Sequence, residues 1–151
     1  MTTTDERDYA TVRLLGRPIR PIRLVYAVGI WLGLAVVAIL NATVREVLIS
    51  PVVGNYWGHV ASTGTFIALL AIIAGRYFTR LTDHTVVELL AIGGLWLVLT
   101  VVFEFGFGHY VMGASWERLL ADYDLLAGRV WVLVLVALAT FPVLFGHYLD
   151  R

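Results

Sequence analysis

The sequence contains no cysteine, no lysine and little charge. Without cysteine the chain can form neither disulfides nor thiolate metal sites, and a cysteine nucleophile is excluded. All 11 basic residues are therefore arginine, so every such cation is permanently charged and can make bidentate contacts. The 11 acidic residues balance them, and a net charge of zero leaves no basic surface that would indicate nucleic-acid binding.

What the chain has instead is apolar surface. Of its 151 residues 60% are hydrophobic and 15% are charged, and its mean hydropathy is +0.84. Soluble domains are nearer half apolar and a quarter charged, so this composition predicts an integral membrane protein of one compact unit. The start, MTTTDERDYATVR, carries acidic residues and is not followed by a short apolar core with a cleavage site. We therefore expect no removable signal peptide.

Four long apolar segments predict an all-α, polytopic fold. A helix needs about 20 apolar residues to cross the hydrocarbon core of a bilayer. Segments that meet this requirement lie at about 24–44, 61–78, 86–107 and 126–148. We expect a four-helix transmembrane domain at 24–151 after an N-terminal segment, 1–23, that Pro18 and Pro21 make extended or irregular. Pro51 and Gly54 indicate turns in the apolar loop between the first two spans.

The arginines predict the orientation of this bundle. One side would carry Arg7, Arg13, Arg17, Arg20, Arg23, Arg76, Arg80 and Arg151. The other side would carry only Arg45, Arg118 and Arg129. Because arginine accumulates in cytoplasmic flanks, we expect a multi-pass protein of the cell membrane with both termini in the cytoplasm.

Polar residues of all four segments fall at one depth, near the predicted outer surface. At 1.5 Å per residue, Glu104 lies roughly 24 Å above Glu88, and Asn41 lies roughly 25 Å above Leu24. Both are therefore just inside the outer boundary of a core about 30 Å thick. The complete predicted layer is Asn41, Arg45, Glu46, His59, Glu104, His109, Asp122, Asp124 and Arg129.

This layer has a structural and a functional interpretation. Ionisable side chains inside a span are costly and usually face a partner in the bundle, so we expect Glu104 to pair with Arg45 or Arg129. Asp122 or Asp124 is placed to cap the fourth helix. The structural interpretation is an ion-pair network, and the functional one is a ligand site or ion pathway. No residue is assigned a catalytic role.

A metal site is the less favoured interpretation. His59, His109 and Glu104 are the candidate ligands, but Glu104 and His109 are five residues apart, or about 140° around an ideal helix. Gly106 and Gly108 would have to end the helix between them to free their relative direction. His84 with His147 is a conceivable axial pair for haem. We predict no cofactor and keep metal and haem as alternatives.

The stretches NATVRE, LTVVFEFGFGHY and SWERLLADYDLLAGRVW give the chain a family resemblance. From Trp31 onward the sequence resembles small prokaryotic four-span integral membrane proteins. The resemblance implies the same four-span fold, carries over no activity, and points to the outer polar layer as the part to test.

Three functions remain open, and none of them assigns an enzyme reaction. Short loops leave little room for a substrate cavity, which favours an accessory subunit that packs against other membrane proteins or against itself. Small residues that would permit close helix contacts are Gly29, Gly33, Gly93 and Gly94. The alternative is a self-assembled small transporter or channel with an outward-facing polar pocket, and the second alternative is a membrane metalloprotein or enzyme. The bilayer is an expected partner in every case.

Overall fold

A short β-hairpin precedes a set of long helices in the computed structural model, which describes residues 12–14 and 17–148. Strand β1, Val12–Leu14, pairs antiparallel with strand β2, Arg17–Ile19. Residues 12–14 and 17–19 are thus extended, as predicted, whereas Pro21 begins a helix instead of continuing the extended segment. Arg7 and Arg151, which support part of the predicted orientation, lie outside the described residues.

Five helices make up most of the described chain. They are α1 (Pro21–Val53), α2 (Asn55–Phe78), α3 (Val86–Val111), α4 (Trp116–Ala121) and α5 (Val132–Tyr148). Three of them contain a π turn, at Arg45–Ile49, Phe107–Val111 and Leu144–Tyr148. The last two π turns end their helices, whereas the first lies inside α1.

Three helices are long and apolar enough to cross a membrane, by length and composition. These are α1, α2 and α3, with 33, 24 and 26 residues. Helix α5 is equally apolar but has 17 residues, or about 26 Å at 1.5 Å per residue. It begins at Val132 rather than near residue 126 because a 3-10 turn, Leu125–Ala127, and a left-handed Gly128 with φ 81° come first. A glycine tolerates this conformation without strain.

The predicted loop between the first two spans is absent. Helix α1 continues through Pro51 to Val53, and α2 begins at Asn55, so the connection is Gly54 alone, with φ 85°. The π turn of α1 lies just before Pro51, the residue that has no N–H to donate. Pro51 therefore does not form a turn, while Gly54 does.

The core lies where α3 and α5 meet α1 and α2. Leu70, Leu89, Ile92 and Trp96 have no exposed surface. The Trp96 indole donates to the carbonyl oxygen of Ala27 at 2.8 Å and so joins α3 to α1. A tryptophan this deeply buried needs such an acceptor for its N–H.

Of the four glycines expected to permit close contacts with other spans, one is used for a close contact within the chain. A Cβ on Gly93 would collide with the carbonyl oxygen of Ala139, so α3 and α5 touch there backbone to backbone. A Cβ on Gly29, Gly33 or Gly94 would meet nothing within 4 Å. Within the chain, therefore, only Gly93 of these four positions requires a glycine, and the other three leave open space on the bundle.

A buried ion pair, absent from the sequence predictions, joins the helices beside the hairpin. Arg23 Nη1 lies 2.7 Å from Glu88 Oε2, and the two side chains are 10% and 2% exposed. The guanidinium also donates to the carbonyl oxygens of Thr82, at 2.6 Å, and Asp83, at 3.4 Å. The second carboxylate oxygen of Glu88 accepts from the Arg20 N–H at 3.1 Å. Both charges are thus fully partnered, and we call this region the hairpin end.

Candidate functional site

Glu104 lies near the other end of α3, just before its π turn, and its partners are neutral. The Tyr123 hydroxyl donates to Glu104 Oε2 at 2.5 Å, and the Trp131 indole donates to the same oxygen at 2.9 Å. The expected pairing of Glu104 with Arg45 or Arg129 is therefore wrong. We call the surroundings of this carboxylate the Glu104 end.

The two arginines are engaged by acidic residues closer to them in sequence. Arg45 donates through Nε, at 3.1 Å, and Nη2, at 2.8 Å, to Oε1 of the adjacent Glu46. Arg129 Nη1 lies 3.7 Å from Asp122 Oδ1, and both of these side chains are substantially exposed. Local acceptors thus neutralise both arginines, which explains why neither reaches Glu104.

Tyr123 is held in place by aromatic packing and remains a hydrogen-bond donor. Its ring lies 5.5 Å from that of Phe105, centroid to centroid. Burial raises the pKa of the Tyr123 hydroxyl, and the hydrogen bond to Glu104 raises that pKa further. The phenol therefore stays protonated at physiological pH and continues to donate to the carboxylate.

Asn41 joins α1 to α2 at the same end. Its Nδ2 donates to the carbonyl oxygen of Ser62 at 2.9 Å and to the Ser62 hydroxyl at 2.8 Å. Ser62 is itself buried. This contact accounts for Asn41 structurally and places it beside the site.

Three cavities surround these residues. The arginine cavity, of about 690 Å³, is lined by Arg45, Glu46, Ser50, Asn55, Tyr56, His59, Val60, Arg118, Ala121, Asp122, Ala127, Gly128 and Arg129. The amide cavity, of about 240 Å³, is lined by Ala38, Asn41, Ala42, Arg45, His59, Ser62, Thr63, Phe66, Glu104, Asp122 and Trp131. The aromatic cavity, of about 230 Å³, is lined by Trp31, Leu34, Ala35, Ala38, Phe66, Thr100, Phe103, Glu104, Phe107, Gly108, Leu119, Trp131 and Leu138.

The members of the predicted layer are distributed unequally among these cavities. Asn41, Arg45, His59, Glu104 and Asp122 line the amide cavity together. Glu46 and Arg129 line the arginine cavity. The two remaining members, His109 and Asp124, line none of the three.

His59 lines both the arginine and the amide cavity and has one unpartnered nitrogen. Arg45 Nη1 lies 3.1 Å from His59 Nδ1. A guanidinium can only donate, so Nδ1 accepts and the proton of the neutral ring is on Nε2. Within residues 12–14 and 17–148, His59 Nε2 is the one buried side-chain nitrogen or oxygen without a hydrogen-bond partner.

His109 is directed away from Glu104 by the continuation of α3. Gly106 and Gly108 do not end the helix, which passes through its π turn to Val111. His109 Nδ1 contacts the carbonyl oxygen of Ala114 at 2.9 Å, and its ring stacks on Trp116 at 3.9 Å between centroids. The helix break that would free the direction of His109 relative to Glu104 is therefore not formed.

The described residues contain no group of three or more histidine, aspartate or glutamate side chains placed to hold a metal ion. His59, His109 and Glu104 are accordingly not brought together as ligands. Of the two conceivable haem ligands, His84 contacts the carbonyl oxygen of Leu81 at 2.7 Å, and His147 packs against Tyr148.

Asp124 has a structural role at the entry to α5. Its Oδ1 accepts from the Ala127 N–H at 3.1 Å and so caps the 3-10 turn. The predicted cap is therefore formed by Asp124, on the turn that precedes the fourth long helix rather than on the helix itself.

Comparison with known proteins returned no match. The chain matches no protein-family model, no curated protein and no solved structure.

Proposed function

We propose that this chain is a multi-pass membrane protein that binds a small molecule in the cavities beside Glu104. The observation that carries the proposal is the charged and polar lining shared by the arginine and amide cavities, to which Arg45, His59 and Asp122 all belong. A small ligand is typically held and oriented by a few charged and polar side chains that converge on one cavity. The arginine cavity, at about 690 Å³, also has the size of typical ligand pockets, about 300–1,000 Å³.

In the membrane arrangement that we propose, α1, α2, α3 and α5 all cross the cell membrane and both termini lie in the cytoplasm. The uneven distribution of arginine supports this orientation. The apolar Leu125 and Leu126 of the 3-10 turn extend the apolar length available to α5. With four spans, the cavities beside Glu104 open towards the outside of the cell.

Binding is better supported than conduction through a single chain. Between Glu104 and the hairpin end, the bundle is filled by fully buried Leu70, Leu89, Ile92 and Trp96. The Arg23–Glu88 ion pair lies below this apolar core. A molecule in the amide cavity would therefore leave by the side from which it entered, unless the helices rearranged.

Because the chain has no cysteine, single cysteines can report the access to these cavities without any background. Ala121→Cys lines the arginine cavity and Ala42→Cys lines the amide cavity. Ala27→Cys, in the fully buried core, is the matched control. We expect a membrane-impermeant thiol reagent added to intact cells to label the first two variants and to spare the control. Labelling that requires opened cells would overturn the proposed orientation.

Binding itself is tested by native mass spectrometry in mild detergent. We expect the purified protein to retain a small molecule, and we expect Ala42→Trp, which fills the amide cavity, to lose it. Val36→Trp, on the exposed face of the same helix, is the control and should retain it. An unmodified mass for the wild-type protein would contradict the binding proposal.

A second candidate function is the accessory subunit, which one exposed surface favours. Beyond Val44, helix α1 carries Val47, Leu48 and Val52, which are 64%, 64% and 81% exposed. Trp57, at the start of α2, is 63% exposed. A partner chain or a second copy would cover this surface. Native mass spectrometry also tests the accessory-subunit function. If a partner covers this surface, Val52→Gln should lose the partner, whereas the control Val25→Gln, at the hairpin end, should retain it.

A further inference from the structure

The two ends of the bundle carry charge of opposite sign, although the whole chain is neutral. Among the described residues, the Glu104 end has five acidic residues and three arginines. The hairpin end has two acidic residues, Asp83 and Glu88, and six arginines: Arg13, Arg17, Arg20, Arg23, Arg76 and Arg80. The rest of the chain adds four acidic residues and two arginines, so the hairpin end would keep a positive excess even if all of them lay there.

Three arginines of the hairpin end present their charge to the outside of the bundle. Arg23 is buried and pairs with Glu88, which leaves no charge over at that pair. Arg20, Arg76 and Arg80 are exposed. Their guanidinium groups make no hydrogen bond or ion pair with any residue in the described part of the chain. Their charge is therefore available to an anion from outside the protein.

The contacts around the buried ion pair hold these exposed arginines in one region. The Arg20 N–H donates to Glu88 at 3.1 Å, so Arg20 lies beside the start of α3. The Arg23 guanidinium donates to the carbonyl oxygen of Thr82 at 2.6 Å, and Arg80 lies two residues before Thr82. The end of α2 and the start of α1 thus bring their exposed arginines to the same end of the bundle.

Exposed apolar side chains follow these arginines towards the middle of the bundle. On α1, directly after its first turn begins, Ile22, Val25 and Tyr26 are all more than half exposed. On α2, Ile72 is also more than half exposed and lies one turn before Arg76. A phospholipid has the matching arrangement, with a phosphate next to acyl chains. A free phosphate would make no use of the apolar surface, so the arrangement favours a lipid.

We propose that the hairpin end binds anionic phospholipids, with their phosphates at Arg20, Arg76 and Arg80 and their acyl chains against the exposed apolar side chains of α1 and α2. Arginine attracts anionic headgroups near a membrane surface and can donate two parallel hydrogen bonds to a phosphate. In the membrane arrangement proposed above, this end faces the cytoplasmic leaflet, which holds the anionic lipids. The inference does not depend on a small molecule beside Glu104.

The test counts the lipids bound to the full chain by native mass spectrometry in mild detergent. The probes are phosphatidylglycerol and phosphatidylcholine with the same acyl chains, titrated separately. We expect phosphatidylglycerol to bind at least about tenfold more tightly, because several arginines contribute and each is worth about fivefold near an anionic headgroup. Glycerol 3-phosphate, which has a phosphate but no acyl chains, should not displace it.

Single neutralising variants locate the binding surface. Arg20→Gln keeps the backbone N–H that Glu88 accepts, and Arg80→Gln lies beyond the end of α2. Each should weaken the binding of phosphatidylglycerol about fivefold, and the double variant should weaken it further. Arg118→Gln is the matched control, because Arg118 is exposed and makes no ion pair with a described residue but lies at the Glu104 end. Its affinity for phosphatidylglycerol should equal that of the wild-type protein.

Folding defects are separated from lost binding by a melting curve for each variant and by Arg20→Lys and Arg80→Lys, which keep the charge and should keep most of the affinity. Equal binding of the two lipids by the wild-type protein would overturn the inference. A loss in Arg118→Gln as large as that in Arg20→Gln would also overturn it, because binding would then follow total charge. Displacement by glycerol 3-phosphate would identify a free-phosphate site and overturn the assignment to a lipid. None of these results bears on the cavities beside Glu104, which the Ala42→Trp variant tests separately.

Discussion

The two ends of α3 each hold a glutamate, and their surroundings differ in charge and in packing. Glu88 pairs with Arg23 and accepts a backbone N–H from Arg20, in a region without a cavity among those described above. Glu104 accepts only from Tyr123 and Trp131 and lines two cavities. The hairpin end thus has the features of a structural clamp, whereas the Glu104 end has unfilled space and an unpartnered donor.

The largest expected effect on stability comes from breaking the ion pair between Arg23 and Glu88. Glu88→Gln leaves the Arg23 guanidinium buried without its counter-ion, and such a change costs about 3–5 kcal/mol. Thermal unfolding in detergent should show a marked fall in melting temperature. The control is Glu46→Gln, whose carboxylate pairs with Arg45 but is 64% exposed, so about 1 kcal/mol or less is expected. Equal effects of the two changes would contradict the assigned difference between the ends.

The next effect in size is at the Glu104 end. Tyr123→Phe removes one of the two donors to the carboxylate, and leaving such a group partly unpartnered costs about 1–3 kcal/mol. Tyr110→Phe, at a position 79% exposed, is the matched control and should be nearly silent. Stability can be followed by the same thermal method. A Tyr123→Phe protein as stable as the control would mean that Trp131 alone suffices for Glu104.

A third prediction compares packing at the two ends. Gly93→Ala places a methyl group against the Ala139 backbone, which cannot yield easily, so about 1–3 kcal/mol should be lost. In Gly108→Ala the methyl group meets only the end of the Leu119 side chain, which can turn away, and a smaller loss is expected. Gly94→Ala meets open space and should stabilise α3 by up to about 1 kcal/mol. A reversed order would show that the Glu104 end is the more rigid one.

The smallest expected effect tests the absence of an arginine partner for Glu104. Arg129→Gln removes an exposed charge that lies 3.7 Å from Asp122, so at most about 1 kcal/mol should be lost. The melting temperature should therefore remain within a few degrees of the wild-type value. A loss of stability as large as that of Glu88→Gln would instead support the ion pair between Arg129 and Glu104 that the sequence predicted.

The sequence predicts the presence of the long helices because apolar length is a local property, but it misses the extension of α1 to Val53 and the start of α2 at Asn55. The starts of α1 and α3 fall within three residues of expectation, since each lies at a change in composition. The fourth helix was placed too early, because its apolar run includes the turn from Leu125 to Gly128, where Asp124 caps and a left-handed glycine follows. Hydropathy cannot distinguish an apolar turn from an apolar helix. The signal available in the sequence was Gly128, which follows Leu125-Leu126-Ala127.

The partners of Glu104 were missed for a different reason. Depth along a helix placed Glu104 beside Asn41, and both line the amide cavity. Depth alone does not specify which side chain donates a hydrogen bond to Glu104. Opposite charge predicts an arginine, but Arg45 and Arg129 are already paired with Glu46 and Asp122. Across the π turn of α3, ideal helical spacing also ceases to hold, which affects the predicted direction of His109.

Arg23 and Glu88 were missed because each lies at the edge of a predicted span, where arginine was counted only as an orientation signal. The stretch Thr85-Val-Val-Glu88 has the spacing of a helix-capping box, and Thr85 Oγ does accept from the Glu88 N–H at 3.2 Å. That pattern agrees with the start of α3 at Val86. It would not have identified Arg23 as the partner of the Glu88 side chain, which lies 65 positions away in sequence.

The single-residue connection at Gly54 has a consequence for how the chain can be made and handled. In the membrane arrangement that we propose, α1 and α2 would enter the bilayer during biosynthesis as one hairpin, because the single residue between them leaves neither helix any free chain at this end. For the same reason an epitope, a protease site or a fused reporter placed at Gly54 would separate two helices that pack on each other. The stretch at residues 112–115, which contains a left-handed Gly113 between α3 and α4, is the better place for such an insertion.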